Sequence, residues 1–339
     1  MKKMPKKQVT LADIANVCGT SSVTVSKALS GKDGVGDELR DKIRETAKTM
    51  GYIPRMGRQS DVIGNIGVII PDEFITSIGT FYWMLFNKIV ERLKRDNLSC
   101  IQENIGEEEQ RTLSVPNILA NDRISGLISL GQLSPGYVKM LTKYTDNIVL
   151  LDYHLPEMDL DSVISNGFSG GYKLTSHLIG NGHREIGFIG NRLATSSIFD
   201  RYMGYMRAML EHGLEVNDEW ILDDRRKDNN NFGIIEYPEK LPSAFVCNCD
   251  EIAYTVVKDL KNLGYSVPDD ISVVGYDNYV FSQMSEPPIT TIEVDTQKMA
   301  DKAVQLLIER ICGVRSTHEM LTVNGELIIK DSVKNISYA

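Results

Sequence analysis

Between Gly19 and Gly31 the chain reads GTSSVTVSKALSG, hydroxyl side chains separated by single apolar residues and accompanied by one lysine. On a helix turning about 100° per residue, Val25, Ala28 and Leu29 fall on one side and can close a core. Val23 and Lys27 then point the opposite way, with Ser22 and Ser26 flanking them. Lysine donates to guanine O6 and N7, valine methyls pack on the thymine C5 methyl, and serines serve base edges or phosphate oxygens. Such small side chains let a helix enter a major groove closely. The same stretch also fits a plainer arrangement, a helical packing module whose outward Val23 meets another protein.

Residues able to do covalent or metal chemistry are sparse. The five cysteines, at positions 18, 100, 247, 249 and 312, show neither metal spacing nor a disulfide framework. Cys249 reads as a small buried thiol, because nothing basic adjoins it. His183, in GNGHREIGFIG, has no Ser or Cys partner pattern, so its imidazole is expected to hold a loop carbonyl. GHREIG lacks the dinucleotide glycine pattern, and no P-loop or carboxylate–histidine metal set occurs. No catalytic residue, metal or cofactor is therefore assigned. An enzyme working on a sugar or nucleotide in a cleft would need a nucleophile or an acid–base pair at recognisable spacing.

The elements that must position the hydroxyl-rich face carry a charge signature of their own. Residues 1–60 hold 12 Lys+Arg and 6 Asp+Glu, whereas the remainder holds 25 against 40, so a basic head sits on an acidic body in a chain of net charge −9. That asymmetry is the electrostatic footprint of a head that meets phosphates. Within the head, Thr10 and Asp13 form a capping pair before Leu11, Ile14 and Ala15. Gly19 permits a tight turn, a second helix starts near Ser21 or Ser22, and a third runs from about Asp37 to Met50. From Asn65 onward, β-rich apolar runs alternate with amphipathic stretches, a βαβ rhythm that implies parallel sheets in two similar halves with a ligand cleft at their strand ends. No run of about 18 apolar residues occurs, and the basic start MKKMPKKQ leads into an amphipathic pattern, so a cytoplasmic protein without membrane contact is expected.

The stretch VTLADIANVCGTSSVTVSKALSG…VGDELRDKIRETAKTMGYIP resembles the helix-turn-helix headpiece of the LacI/GalR family of bacterial repressors. GNGHREIGFIG, GYSVPDDISVVGYDN and EPPITTIEVD are similar to further signatures of that family, and the likeness runs from Val9 to roughly Ile311. The resemblance implies an all-α headpiece (1–54), a hinge (55–64) and a periplasmic-binding-protein-like α/β domain of two lobes (65–339) that dimerises side by side. Lobe 1 would take about 65–165 plus 281–295, and lobe 2 about 166–280 plus 296–339, crossed by three strands. It also implies double-stranded operator DNA as partner, with Ser22, Val23 and Lys27 at base-reading positions and Thr10, Ser21, Ser26 and Arg40 where phosphates are met. A small effector, a sugar or sugar derivative, is implied between the lobes. The corresponding positions are Arg201 forking onto hydroxyls, Asp277 accepting from them, Thr195 and Ser197 lining the second lobe, and Phe81 and Tyr82 closing over a ring.

Two stretches depart from the family pattern. The hinge run RMGRQSDVIGNIGVII is shorter by about three residues, with Arg55 for an asparagine and Asp61 where a wedge leucine falls, so a weaker hinge and less kinking of the operator are expected. Near the ligand, Cys249-Asp250 stands for Asn-Asp and Asn166-Gly167 for Asp-Asn, which removes hydrogen-bond partners from a hexose-like effector. LIIKDSVKNISYA carries no leucine heptad, so a homodimer rather than a coiled-coil tetramer is expected. The alternatives to a ligand-controlled regulator are a cytoplasmic sugar receptor and an enzyme using the same cleft.

Overall fold

A computed structural model describes residues 9–29, 34–50, 64–75, 81–120, 123–225 and 232–336. The hinge expectations rest on Arg55, Asp61 and their neighbours, which lie outside the described residues.

The head folds as three short helices, α1 (Leu11–Cys18), α2 (Ser22–Leu29) and α3 (Asp37–Thr49). Thr10 caps α1 through a reciprocal box: the Thr10 hydroxyl accepts from the Asp13 N–H, and the Asp13 carboxylate accepts from the Thr10 N–H at 2.7 Å. The helix stops at Gly19, whose φ of 70° is left-handed. Ser21 starts α2 by accepting from the Thr24 N–H at 3.1 Å. Ile14, Val25, Ala28, Ile43 and Ala47 are wholly buried together, each large side chain contributing about 1.5–3 kcal/mol of burial. Arg40 adds a tie, donating to the carbonyls of Ala28 and Val35 and so linking α3 to the end of α2.

Lobe 1 begins with β1 (Asn65–Pro71), α4 (Phe81–Arg95), β2 (Cys100–Ile105), α5 (Glu107–Thr112), β3 (Ile124–Leu130), α6 (Pro135–Leu141), β4 (Ile148–Leu151) and β5 (Asp161–Ser165). Lobe 2 follows with α7 (Gly167–Gly180), β6 (Ile186–Ile189), α8 (Ser196–Glu211), β7 (Ile221–Leu222), β8 (Ala244–Cys247), α9 (Asp250–Asn262), β9 (Ser272–Val274) and α10 (Val280–Met284). The chain ends with β10 (Thr291–Glu293), α11 (Thr296–Ile311), β11 (Met320–Val323) and β12 (Glu326–Ile328). Six parallel strands ordered β11-β5-β4-β3-β1-β2 form one sheet, and four ordered β7-β6-β8-β9 form the other. Both sheets are covered on two faces, which is why their strands read as near-continuous apolar runs. Along β1, Ile66, Val68 and Ile70 join the core shared with α4 and α11, while Ile69 faces the core of α6.

The described structure reassigns two segments. α11 packs on α4, β3, β4 and β5, and β11 pairs in parallel with β5, so residues 296–323 belong to lobe 1 rather than lobe 2. Residues 281–290 belong to lobe 2 rather than lobe 1, since α10 packs on α9 and Thr290 bridges Val274 of β9. Sequence order places these segments on either side of a crossover, but the pairing that puts β11 in lobe 1 joins residues more than 150 positions apart, Met320 and Ser162. The three crossings are residues 165–167, 290–294 and 323–326, and β10 and β12 pair antiparallel between the lobes. Among the described residues no helix is long and apolar enough to cross a membrane.

Candidate DNA-reading face and effector cavity

On α2 the inward and outward faces separate cleanly. Val25, Ala28 and Leu29 are buried, Val23 is 66% exposed, Ser21, Ser22 and Lys27 are exposed, and Ser26 is half-buried. Base-edge chemistry is thus gathered on one exposed strip: a branched methyl pair, hydroxyls and an ammonium. Thr10 and Ser21 cap the N-termini of α1 and α2. Their backbone N–H groups lie at helix N-termini, where phosphate oxygens are held best. Arg40 stands apart in use, because its guanidinium already serves two carbonyls of the fold. Val17 on α1, 60% exposed, extends the apolar part of the surface and had no sequence signal beyond breaking the inward pattern.

Between the lobes, at the carboxyl ends of the parallel strands, lies a cavity of about 250 Å³. Its lobe 1 wall is aromatic. A turn of 3-10 helix after β1 brings Phe74 against Tyr82 of α4, ring centroids 4.4 Å apart and nearly parallel, with Phe81 edge-on to Tyr82. The Tyr82 hydroxyl donates to Asp152 Oδ2 at 3.0 Å, just beyond β4. The lobe 2 wall is built from the start of α8, where Thr195 is the N-cap and bonds Ser197 at 3.0 Å, and from the ends of β8 and β9, which supply Asn248, Cys249 and Asp277.

Arg201 is the buried cation of this wall, 6% exposed. One Nη donates to the Asn248 carbonyl at 2.6 Å, the other lies 3.6 Å from Asp277 Oδ1, and the guanidinium stacks 3.9 Å from the Tyr276 ring centre. Burial opposes its charge, but Asp277 holds its pKa above the ordinary value. Burial drives the Asp277 carboxyl well up, with Arg201 opposing. Asp152 is pushed up to about 6 by burial, again against the pull of Arg201. Both carboxylates sit on left-handed backbone, φ 70° at Asp152 and 111° at Asp277. That strain, about 1–3 kcal/mol each, is held by ladder bonds from Asp152 N–H to Val163 and from Asp277 N–H to Ile292. The two carboxylates on rare backbone, from opposite lobes, thus face the same cavity.

Similarity to known proteins agrees with this geometry. Residues 10–55 match bacterial regulatory proteins of the lacI family, and residues 175–333 match a periplasmic binding protein-like domain. The chain carries a lacI-family DNA-binding domain joined to a periplasmic binding protein-like domain. An HTH-type transcriptional repressor PurR of Mannheimia succiniciproducens is 28% identical over 336 residues, covering 97% of this chain and 99% of its own. Its namesake in Histophilus somni is 29% identical, covering 96% and 99%. A solved transcriptional regulator CelR–cellobiose complex shares the fold at TM-score 0.69 and 22% identity, over 96% of this chain and 100% of that one. A lac repressor dimer bound to operator and the anti-inducer ONPF does so at 0.65 and 21%, over 97% and 100%. This lacI-family chain is accordingly a DNA-binding transcriptional regulator, not an enzyme, with an effector-binding domain of two α/β lobes.

Most of the effector residues expected from sequence meet in the one cavity: Phe81, Tyr82, Thr195, Ser197, Arg201, Cys249 and Asp277 all line it. Asn166 and Asp250 do not. Asn166 caps α7 by accepting from the Ser169 N–H and donates to Asn324 at the neighbouring crossing. Asp250 is fully buried behind the wall, accepting from the Thr291 hydroxyl at 2.6 Å and the Tyr279 N–H at 2.8 Å. Both are occupied in joining crossover strands to lobe 2, and neither lines the cavity. Burial raises the Cys249 thiol far above its usual range, so it stays a neutral thiol. His183 is 2% exposed, with Nε2 3.1 Å from the Lys334 carbonyl and Nδ1 2.9 Å from Ser243 Oγ, a loop-holding role.

Sequence reasoning missed Phe74, Asp152, Arg225 and Phe232 in the wall. Asp152 carried a usable signal, a carboxylate directly after the buried run NIVLL, at the strand end where ligands sit. Arg225 and Phe232 carried none. They come from the connection between β7 and β8, which holds no helix among its described residues and stacks the guanidinium 4.3 Å from the Phe232 ring.

Proposed function

We propose that this lacI-family chain is a dimeric repressor of carbohydrate-utilisation genes in the cytoplasm. The α2 helices of the two protomers would read half-sites of a palindromic operator, and a small ring-shaped effector between the lobes would change their spacing. What supports this is one conjunction in a single chain: an exposed Ser22–Val23–Lys27 strip on a capped three-helix head, and a cavity whose aromatic wall faces an arginine–aspartate pair. Aromatic faces stack on ring C–H groups, Asp277 accepts from adjacent hydroxyls, and Arg201 returns donors to ring oxygens. Closing the lobes on a ligand biases one arrangement of the headpieces, so effector and operator affinities are coupled.

A second effector class is favoured by the names of the relatives, since PurR points to a purine. A planar base would lie against Phe74 and Tyr82 with its amide edge on Arg201 and Asp277. A gel shift with DNA flanking the protein's own gene, run with cellobiose, ribose, hypoxanthine and no addition, tests the whole reading. Retention of one duplex over competitor DNA, altered by one of these compounds, is the expected outcome. Equal binding to every duplex under every condition refutes the reading.

A further inference from the structure

The cavity is graded in charge from its buried floor to its half-exposed mouth. At the floor, Asp152 and Asp277 are 3% and 7% exposed, and Arg201 is the one buried cation there among the described residues. Asp277 Oδ1 accepts no hydrogen bond and lies 3.6 Å from the guanidinium, while Asp152 Oδ1 has only the Ser165 hydroxyl beside it. The capacity of Arg201 is largely taken: it donates to the Asn248 carbonyl and lies on the Tyr276 ring, leaving Nε without a partner. Toward the mouth stand Glu73 and Glu251 with Arg225, whose Nε is 3.6 Å from Asp224, a carboxylate outside the cavity. The floor therefore presents two desolvated carboxyl groups and one donor N–H. Buried oxygens of this kind carry a large penalty until something donates to them.

Resting on the effector-sensing reading, we infer that the floor selects the effector by charge: it admits a neutral, donor-rich or protonated-amine end and rejects a phosphate or carboxylate. Two hydroxyls, or an ammonium, bridging Asp152 on lobe 1 and Asp277 on lobe 2 would satisfy both oxygens and draw the lobes together. An anionic group there would lie beside two desolvated carboxyl groups, Asp152 ionised above about pH 6, with one largely engaged guanidinium to answer them. Asp152 and Asp277 are thus specificity-determining residues of the site.

Two measurements test this. The first needs no ligand. Asp152 is faced by Tyr82, Arg201, Tyr276 and Asp277, and Asp277 by Arg201, Asp250, Asp152, Glu251, Tyr82, Tyr276, Cys249 and Tyr279. A carboxyl whose folded pKa is raised favours the native state at low pH and loses that stability as pH rises through about 6. Asp152→Asn should therefore raise Tm by several degrees at pH 8 and by less at pH 5, whereas Tyr82→Phe, which removes the donor to Asp152, should lower Tm at pH 8. An Asp152→Asn protein no more stable than wild type at pH 8 overturns the inference whatever binds. The second measurement is calorimetric titration of the full chain with matched probes: glucose, glucosamine, glucose 6-phosphate and gluconate, and hypoxanthine against inosine monophosphate. Binding of a neutral or amine member at least tenfold tighter than its anionic counterpart, with the ratio shrinking in Asp152→Asn, is expected. An anionic member binding as tightly as its parent overturns the inference and leaves the sensing role intact. If no probe binds, the sugar and purine readings fail while the stability result still decides the charge argument.

Discussion

Arg201 is where residue chemistry and fold stability meet most sharply. It is buried, shared between the Asn248 carbonyl, Asp277 and the Tyr276 ring, and lines the cavity. Removing one partner of such a buried pair leaves the other uncompensated at a cost of about 3–5 kcal/mol. Arg201→Ala should thus lower unfolding free energy by that order in urea titrations, and Arg201→Ala with Asp277→Asn should recover part of it. A strictly additive double mutant would mean the two groups do not interact. Lysine would not substitute, since one ammonium cannot serve a carbonyl, a carboxylate and a ring together. On α2 the corresponding prediction separates readers from positioners. Lys27→Ala should relax preference at one base position by about 1–3 kcal/mol in competition gel shifts. Arg40→Ala should weaken all duplexes alike and also lower the melting temperature of the head, because its guanidinium holds Ala28 and Val35.

Helices set where those residues stand. α7 and α8 approach at Gly171 and Gly204, where a Cβ would come within 2.1 Å of the Arg201 and Phe168 carbonyls respectively. Gly171→Ala must therefore push α8 away and carry Arg201 with it, costing about 1–3 kcal/mol and loosening effector binding; unchanged effector affinity in calorimetry would show that α8 has slack. The capping box is a smaller lever. Thr10→Ala should destabilise the head by about 1 kcal/mol, visible as earlier loss of helix on heating. Between elements, His183 binds the loop at Ser243 to the C-terminal segment at Lys334. Burial lowers its pKa, so its contribution is present above about 6.5 and is lost as pH falls through the lower folded value. His183→Leu should flatten the slope of Tm against pH below about 6.5.

Across the whole molecule the question is how the cavity reaches the head. The lobes are bridged by the Ser196 N–H donating to Gln132 at 2.8 Å and by the His154 N–H approaching Ser196 Oγ at 3.4 Å, so α8 is held by lobe 1 as well as lobe 2. The head touches lobe 1 as well: Val314, just past α11, packs on the head core, and Arg44 of α3 lies by Gly313. Lobe motion can thus be felt at α3 through α11. Reciprocity then requires that operator DNA change effector affinity by the same factor by which effector changes operator affinity. Titrating effector with and without duplex checks this. Operator binding should also weaken with salt, each phosphate contact adding about −0.9 to the log–log slope. A slope near zero would remove the basic head from the mechanism.

Local order in this protein was written into short sequence windows. The capping box at Thr10, the turn at Gly19, the inward triad of α2 and the alternation of strands and helices depend on neighbours three or four residues away, and all stand in the structure. The cleft residues Arg201 and Asp277 were legible by resemblance, and they meet. Lobe membership of α11 and β11 was not legible, because β-pairing between Met320 and Ser162 joins distant segments with no local mark. Nor was the occupation of Asn166 and Asp250 by crossover strands, or the convergence of Asp152 with Asp277 around one guanidinium. Charge balance in a buried floor is a sum over residues from several elements. Tertiary packing alone brings those residues within a few ångströms and excludes the water that would otherwise dilute their interaction.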